Sequence, residues 1–321
     1  MAVKYALISP TFGRPDEVRD FLLSLSRLDY DFSLVEVILA DGTPNDALRP
    51  IMASTEADLP FRVQWIHRDF LPVSDARNAA AAAAAAAAFL LFFDSDCLIP
   101  SDHLSKLDAA LKTHPLDCFG GPDAAAPDFS VLQKAISYAM TSFLTTGGIR
   151  GKAKSTDVFT PRGFNMGFTT ECFHALGGYD ESFLCGEDIE LSIRARQAGF
   201  SVGLIPTLAV FHKRRATLSQ FHRQVERFGA ARWALAQRHP GQLKPTHLFP
   251  AAFLLGIPVA GVLAVMGYAP LVWLYAIYTA AVTVDAAWQS RDARVALLAP
   301  IAVFTMHLGY GKGFLKALLG R

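Results

Sequence analysis

Short apolar runs alternate with helical patterns over the first 123 residues. The apolar runs predict strands at residues 5–9, 34–40, 61–67, 89–93 and 118–121. The segments between them predict helices near residues 15–28, 74–88 and 101–113, with Ser101 as the expected N-cap of the last helix. The second helix contains ten consecutive alanines, residues 79–88, and alanine is the best helix former. This alternation predicts a parallel sheet with helices on both faces.

The pattern changes after residue 124 to that of a mixed α/β half. Residues 129–144 predict an amphipathic helix resting on a membrane, and the Gly- and Lys-rich residues 145–156 predict a mobile loop. A helix at 187–198 and a strand at 201–205 follow. Residues 218–239 predict a second amphipathic helix at the membrane interface. Its apolar face consists of Leu218, Phe221, Val225, Phe228 and Leu235.

The C-terminal residues contain three apolar segments. Residues 248–268 carry no charge and 269–288 carry only Asp285, so each is long enough to span a bilayer, whereas 295–310 is marginal. With the N-terminal part in the cytosol, a third crossing would place Lys312, Lys316 and Arg321 outside, against the positive-inside rule. The third segment is therefore expected to be membrane-embedded, either as a crossing helix that breaks this rule or as a re-entrant or interfacial one.

Charge and cysteine content narrow the possible partners. The 321 residues are 52% apolar with a net charge of +1, but residues 213–247 contain eight Lys/Arg and a single acid, Glu226. Basic residues next to apolar spans predict contact with anionic membrane lipids, and no recognition motif supports nucleic-acid binding. The four cysteines lack zinc-ligand or CxxC spacing, which predicts reduced thiols in the cytosol, and the N-terminus enters a strand without a signal peptide.

The most informative chemistry follows the apolar run 89–93, where Asp94 and Asp96 are two residues apart. Ligands bind at the carboxyl ends of strands in open α/β sheets, and paired carboxylates suit Mg²⁺ or Mn²⁺. The alternative is an acidic turn without a ligand.

Five further features accompany this acid pair, and they occur in a consistent order. They are the turn 9–14 after the first strand, Asp41 at the end of the second strand, Arg77 near a helix start, the acids Glu187 and Asp188 at another helix start, and His212 followed by Gln224 and Arg227 on the basic helix. A helix start and an arginine can bind a phosphate. Each feature also has a structural explanation: a turn cap for Asp41, an N-cap for Asp188, a surface histidine, and a solvated helix face. All six together are much less expected by chance.

With these motifs, residues 3–230 resemble family 2 glycosyltransferases, which have the GT-A fold. Within this family the chain is most similar to membrane-anchored bacterial enzymes of the succinoglycan-biosynthesis type. Additional matching segments are GFNMGF at 163–168, GGYD at 177–180, QVERFG at 224–229 and the C-terminal segment ending HLGYG at 307–311.

The resemblance implies a role for each matching position. Pro10, Thr11 and Arg14 would contact the nucleoside, Asp41 the uracil ring, Arg77 the diphosphate, and Asp94 the ribose or sugar. Asp96 and His212 would bind the metal, Mg²⁺ or Mn²⁺. Asp188 would be the catalytic base, and Asn165 and Glu187 would contact the acceptor. Gln224 and Arg227 match the QxxRW donor-binding motif of processive synthases, in which Phe228 replaces the Trp.

The implied enzyme is an inverting, metal-dependent transferase. It would move a sugar from a UDP-sugar to a polyprenyl-diphosphate-linked saccharide at the cytosolic face of the bacterial inner membrane. Residues 1–216 would be the catalytic domain, with nucleotide-binding (1–123) and acceptor-binding (124–216) halves, 217–246 the interface helix, and 247–321 the membrane domain. The loop 145–156 would act as a lid.

Three alternatives remain. The acceptor could be polyprenyl phosphate itself, held by Arg150, Lys152, Lys154 and Arg162. The enzyme could be a processive polysaccharide synthase, against which Phe228 and the few apolar segments count. The chain could also be a scaffold without catalysis.

Overall fold

The structure, a computed structural model, describes residues 3–84, 86–124, 129–147 and 159–320. The chain folds into two compact units. The first contains residues 1–124 and 150–212, and the second contains residues 125–149 and 213–321. Residues Arg150, Lys152 and Lys154 and most of the predicted lid lie outside the described residues.

The described residues form ten strands and twelve α-helices. The strands are β1 (Tyr5–Thr11), β2 (Val35–Asp41), β3 (Val63–His67), β4 (Phe89–Phe93), β5 (Cys97–Leu98), β6 (Cys118–Gly120), β7 (Asp123–Ala124), β8 (Asn165–Thr169), β9 (Val202–Leu204) and β10 (Val210–His212). The helices are α1 (Pro15–Leu25), α2 (Arg49–Glu56), α3 (Val73–Ala83), α4 (His103–Thr113), α5 (Val131–Thr141), α6 (Phe143–Thr146), α7 (Thr170–Ala175), α8 (Glu187–Gln197), α9 (Leu218–Arg238), α10 (Pro245–Val265), α11 (Pro270–Ser290) and α12 (Ala293–Leu318).

The first unit is built on a seven-stranded sheet in the order β3-β2-β1-β4-β8-β6-β9. Strands β1 to β4 are parallel, but β8 runs antiparallel to both β4 and β6. The strands of residues 1–123 in this sheet therefore all run the same way, as predicted, and the antiparallel β8 comes from the half that was predicted to be mixed α/β. A Cβ at Gly167 would lie 2.3 Å from the ring of Phe119, so only glycine fits at this point of the strand.

Helices cover both faces of this sheet, as the sequence predicted. In β1 the side chains of Tyr5 and Leu7 join one buried core, while those of Ala6 and Ile8 join the other. The alternation follows from the two-residue period of a strand. Because both faces are buried, the central strand β4 is apolar throughout, and the carboxyl ends of the parallel strands are the edge where such sheets bind ligands.

Several predicted helix ends differ from the structure. Helix α3 ends at Ala83 rather than at residue 88, and α1 ends at Leu25 rather than at 28. Helix α4 begins at His103, so Ser101 is not its N-cap; Asp102 occupies that position without a side-chain cap. The predicted loop at 145–156 begins inside the short helix α6.

In the second unit, α5 packs within the protein. Ser130 and Gln133 form a capping box at its start, and Ala135, Ile136 and Ala139 are fully buried in a core shared with α9, α11 and α12. The prediction that this helix rests on a membrane by its apolar face was therefore wrong, because that face contacts other helices.

Helices α9 and α12 pack closely because glycines lie at their contact. A Cβ at Gly313 would lie 1.8 Å from the carbonyl oxygen of Glu226, and one at Gly229 would lie 2.0 Å from that of Tyr310. The apolar face of α9, including Phe221 and Val225, is thus buried against protein. Its amphipathic pattern was predicted correctly, but α12 covers the apolar side.

Helices α10, α11 and α12 are each long and apolar enough to cross a membrane. They contain 21, 21 and 26 residues, with mean hydropathies of 2.3, 1.4 and 1.4 in their most apolar windows. Helix α12 is longer at both ends than the predicted segment 295–310. The sequence analysis therefore underestimated the length of the third apolar helix. It is also the most enclosed of the three, with 44% of its window buried against 17% and 11%.

Candidate active site

A second, three-stranded sheet brings acidic and imidazole groups together. Its order is β5-β10-β7, and β10 pairs antiparallel with β5 so that His212 lies opposite Cys97. His212 Nε2 is 3.0 Å from Asp96 Oδ1. Ligand atoms of Asp96, Cys97 and His212 all lie within 4.8 Å of one another, and all three residues are buried. The two predicted metal ligands are therefore adjacent.

The imidazole of His212 is held from two sides. Its ring stacks on Phe164 with centroids 5.0 Å apart, and Nδ1 lies 3.9 Å from Oδ2 of the buried Asp123. A carboxylate behind a metal-binding histidine orients the ring and raises its basicity. Sequence reasoning missed Asp123. Its only feature in the sequence is that it is an acidic residue soon after the fifth predicted strand. The side chain of His212 is 11% exposed, which rules out the surface-histidine interpretation.

Arg14 approaches this group from the turn after β1. Gly13 and Arg14 both have positive φ, 65° and 55°, and Gly13 N–H donates to Thr43 Oγ1 at 2.7 Å. Positive φ in a non-glycine residue is strained and is concentrated at functional sites. This conformation places Arg14 Nη1 3.1 Å from Asp96 Oδ2. The predicted nucleoside contact thus lies beside the predicted metal ligand.

Asp41 lies at the neighbouring strand end and is fully buried. Its Oδ1 accepts hydrogen bonds from Thr11 Oγ1 at 2.9 Å and from the Thr43 backbone N–H at 2.9 Å. Its Oδ2 has no hydrogen-bond partner among the described residues and lies 4.0 Å from His67 Nε2. A buried oxygen of this kind is rarely left without a partner. Pro10, one residue before Thr11, pairs in register with Ala40.

His67 adds a group that the sequence did not reveal. Its Nε2 lies 2.8 Å from the Thr43 carbonyl oxygen, which can only accept, so Nε2 carries the proton. This hydrogen bond, with the nearby carboxylates of Asp46, Asp41 and Asp69, raises the pKa of His67. Ligand atoms of Asp41, Asp46 and His67 also lie within 4.8 Å of one another. Because Nε2 donates its proton to Thr43, it has no lone pair for a metal ion in this arrangement.

Arg77 forms ion pairs with both Asp94, which follows β4, and Glu187, which begins α8. It is 2% exposed, with Nη2 2.8 Å from Asp94 Oδ1 and Nη1 2.6 Å from Glu187 Oε1. A Cβ at Gly163 would lie 2.5 Å from Arg77 Nη2, so this approach requires glycine. Burial raises the pKa of the Glu187 carboxyl, and the Arg77 guanidinium opposes this shift.

Asp188 is the second residue of α8, whose N-cap is Gly186 with φ of 84°. The N-cap explanation of Asp188 is therefore excluded. Its Oδ2 accepts a hydrogen bond from Gly163 N–H at 2.9 Å, and the residue is partly exposed. Asn165 is 3% exposed and its Nδ2 donates to the Leu208 carbonyl oxygen at 2.5 Å.

Residues 3–231 match the family described as Glycosyltransferase like family 2. The chain belongs to glycosyltransferase family 2. A relative of this glycosyltransferase is the Succinoglycan biosynthesis protein ExoA of Rhizobium meliloti (strain 1021), 29% identical over 297 residues that cover 88% of this chain and 86% of that protein. Another is a Methanococcus voltae dolichyl N-acetyl-alpha-D-glucosaminyl phosphate 3-beta-D-2,3-diacetamido-2,3-dideoxy-beta-D-glucuronosyltransferase. It is 25% identical over 144 residues that cover 44% of this chain and 41% of that protein.

Solved structures support the same fold for this glycosyltransferase. The mannosyltransferase PcManGT of Pyrobaculum calidifontis, in complex with GDP-Man and Mn²⁺, superposes with a TM-score of 0.63 at 19% identity, over 100% of this chain and 88% of that one. Residues 1–349 of TarS from S. aureus give a TM-score of 0.53 at 17% identity, over 99% and 92%. The α/β unit is therefore of the GT-A type.

In this glycosyltransferase, most of the predicted site residues lie in the first unit. One group joins Arg14 and His212 to Asp96, and a second joins Asp94 and Glu187 to Arg77. Asp94 and Asp96 are two residues apart, Asp188 follows Glu187, and Thr11 and Asp41 end two adjacent strands. Gln224 and Arg227 lie on α9 in the second unit. Buried oxygen and nitrogen donors from Asp96 and His212 suit Mn²⁺ or Mg²⁺, which fits the predicted metal.

Proposed function

We propose that the protein is an inverting, metal-dependent glycosyltransferase. It would transfer a sugar from a UDP-sugar donor to a lipid-linked saccharide acceptor. The observation that carries this proposal is Arg77, because its guanidinium joins Asp94 of the acid pair to Glu187 beside Asp188. The acid pair after β4 and the proposed base are thereby brought close together.

Transfer would proceed by a single displacement. An acceptor hydroxyl oxygen attacks the anomeric carbon while Asp188 takes the hydroxyl proton, and the bond to the nucleoside diphosphate breaks with its electron pair on the leaving oxygen. A single attack from the face opposite the leaving group inverts that carbon. The partial exposure of Asp188 and its hydrogen bond from Gly163 N–H keep the carboxylate in reach of an acceptor.

Donor binding would use the two neighbouring strand ends. Pro10, Thr11 and Asp41 would receive the nucleoside, and the free lone pairs of Asp41 Oδ2 suit an imide N–H of uracil. Asp96 and His212 would hold Mg²⁺ or Mn²⁺, which supplies charge stabilisation to the departing diphosphate. Arg14, beside Asp96, would approach the same phosphates.

The acceptor assignment rests on the second unit and the relatives. Three helices of sufficient length and hydropathy follow a basic helix, which suits an enzyme acting at the cytosolic face of a bacterial inner membrane. The Methanococcus voltae relative is named for a dolichyl-phosphate-linked sugar acceptor. This name favours a lipid-linked saccharide over bare polyprenyl phosphate. Asn165 and Glu187 would shape the acceptor side.

The decisive experiment measures nucleotide release by the detergent-purified full chain. A panel of UDP-sugars and GDP-mannose would be tested with Mn²⁺ or Mg²⁺ and a bacterial lipid extract as acceptor. We expect metal-dependent release from one UDP-sugar, lost in Asp96→Ala and retained in Asp102→Ala, a half-exposed acid on α4's N-terminal side. Release only from GDP-mannose would correct the donor, and no release with any donor would refute the transferase proposal.

A further inference from the structure

A cleft lies between α9 and α12, within the second unit. Its volume is about 320 Å³. Its lining residues are Arg223, Glu226, Arg227, Ala230, Gly313 and Lys316. The helices are in close contact at Gly313, and the small side chain of Ala230 leaves the space beside this contact open.

The cleft carries an excess of positive charge. Its one carboxylate, Glu226, accepts hydrogen bonds from Lys312 Nζ at 3.0 Å and Lys316 Nζ at 2.9 Å. Partial burial alone would raise the pKa of Glu226, but these two lysines lower it, so the carboxylate is ionised and already engaged. Among the described residues, neither Arg223 nor Arg227 has a carboxylate partner. The cleft therefore suits an anion, and two guanidinium groups favour a phosphate.

The course of α12 places this cleft at one end of the helical hairpin α10–α11. The turn at Gly267 joins these helices, so the first turn of α10 and the last turn of α11 both lie away from it. Helix α12 begins at Ala293, directly after α11, and a Cβ at its Gly311 would lie 2.4 Å from the Pro250 carbonyl oxygen in α10. The beginning of α12 and its Gly311 thus lie at the ends remote from the turn.

The opposite end of the hairpin remains uncovered by protein. Val265 is 90% exposed, and Met266, Tyr268 and Trp273 are each more than half exposed. If this apolar end is embedded in the bilayer, as the membrane placement proposed above requires, the cleft lies at the depth of the lipid headgroups. Basic pockets beside membrane helices at this depth bind acidic headgroups.

We propose that the α9–α12 cleft is a binding site for the phosphate of an acidic membrane lipid. Arg223 and Arg227 would donate to the phosphate oxygens, and Lys316 would add positive charge from α12. The phosphate could belong to a bilayer phospholipid or to a polyprenyl diphosphate, since both present the same anionic group to the guanidinium donors.

The test uses the full chain in mixed micelles without nucleotide or metal, so its outcome is independent of transfer. Binding of phosphatidylglycerol is measured by native mass spectrometry and by thermal stabilisation, with phosphatidylcholine as the reference lipid. We expect Arg223→Ala and Arg227→Ala each to weaken phosphatidylglycerol binding about fivefold, which corresponds to about 1 kcal/mol per basic residue. Arg232→Ala is the matched control on α9 outside the cleft and should bind normally.

Ala230→Leu provides a second test, because it fills the cleft without changing its charge and should also weaken binding. Inorganic phosphate should compete weakly, and polyprenyl diphosphate should compete at least as well as phosphatidylglycerol if the carrier lipid supplies the phosphate. Weaker competition assigns the site to the bulk phospholipid. Unchanged phosphatidylglycerol binding in Arg227→Ala and Ala230→Leu would overturn the proposal, as would an equal loss in Arg232→Ala.

Discussion

Asp188 is the residue on which the proposed transfer depends most directly. We predict that Asp188→Asn lowers the transfer rate by at least ~100-fold, the usual contribution of a positioned general base. The amide is nearly isosteric and its oxygen can still accept the hydrogen bond from Gly163 N–H, so the start of α8 should keep its geometry. The measurement is the initial rate of sugar transfer at saturating donor.

Nucleotide affinity serves as the internal control for this variant. It should change little, because Arg14, Asp41 and Asp96 are intact and Asp188 does not contact them among the described residues. Undiminished transfer by Asp188→Asn would show that another group takes the proton. A loss of nucleotide binding would instead indicate a structural role.

Cys97 and His212 each place a ligand atom within 4.8 Å of Asp96, but they are expected to contribute differently to metal binding. The Cys97 side chain is fully buried and its Sγ lies 3.5 Å from the Phe164 carbonyl oxygen, as in a packing residue. We predict that His212→Ala weakens Mn²⁺ binding by ~10-fold or more, whereas Cys97→Ser changes it by less than about threefold. Titration of Mn²⁺ followed by electron paramagnetic resonance measures both. Equal losses would make Cys97 a metal ligand.

The sequence alone places two of the predicted site residues at the ends of long apolar strands. Asp41 and Asp94 follow continuous runs of buried residues, and their position at the sheet edge follows from that pattern. It did not locate Asp123 or His67. Asp123 belongs to a two-residue strand without periodicity, and its proximity to His212 depends on a pairing between segments almost ninety residues apart. Such long-range pairings leave no local signal.

At the scale of elements, Asp108 connects α4 to β1. Its Oδ1 accepts hydrogen bonds from Lys4 Nζ at 2.6 Å and from the Tyr5 hydroxyl, and its Oδ2 accepts one from Tyr30 OH at 2.9 Å. We predict that Asp108→Asn lowers the free energy of unfolding by about 1–2 kcal/mol at neutral pH, because charge-assisted hydrogen bonds become neutral ones. Thermal unfolding in detergent measures the change, with the exposed Asp58→Asn as the matched control.

The Asp108 carboxylate also makes the folding stability depend on pH, in a direction that follows from its lowered pKa. Burial alone would raise the pKa of Asp108, but hydrogen bonds from Lys4, Tyr5 and Tyr30 outweigh it and lower the pKa below its usual 3.8. The unfolded chain then binds the proton more readily, so the stabilisation is present above about pH 4 and is lost as the pH falls. The wild type and Asp108→Asn should therefore converge in acid. If the difference in stability between the two proteins stayed the same at all pH values, the Asp108 carboxylate would not be its cause.

Helix α3 shows why element ends are harder to predict than elements. The alanines continue to residue 88, yet the helix ends at Ala83. Thr170 Oγ1 donates to the Ala87 carbonyl oxygen at 2.5 Å, and Ala88 N–H donates to the Val3 carbonyl oxygen at 3.3 Å. These hydrogen bonds to distant segments lead the chain into β4. Helix propensity favours continuation, but the sheet decides where the helix ends.

At the scale of the whole chain, hydropathy identified the apolar helices but not the course of the last one. Length and composition make α12 as good a candidate span as α11. Its contacts within the second unit favour an interfacial helix instead of a span. Lys312 and Lys316 donate hydrogen bonds to Glu226 on α9, and Gly311 lies against the start of α10. An interfacial α12 also satisfies the positive-inside rule, since its lysines then stay on the side of Arg291 and Arg294.

This course predicts that both ends of the α10–α12 segment face the cytosol. A C-terminal epitope tag should be protected from protease in spheroplasts and digested in inverted inner-membrane vesicles, because α12 returns to the side where α10 begins. A tag inserted at Gly267, in the turn between α10 and α11, should show the opposite accessibility and serves as the control. Digestion of the C-terminal tag in intact spheroplasts would mean that α12 crosses the bilayer. The cleft between α9 and α12 would then have to open during insertion, since Gly313 and Glu226 cannot stay in contact on opposite sides of a membrane.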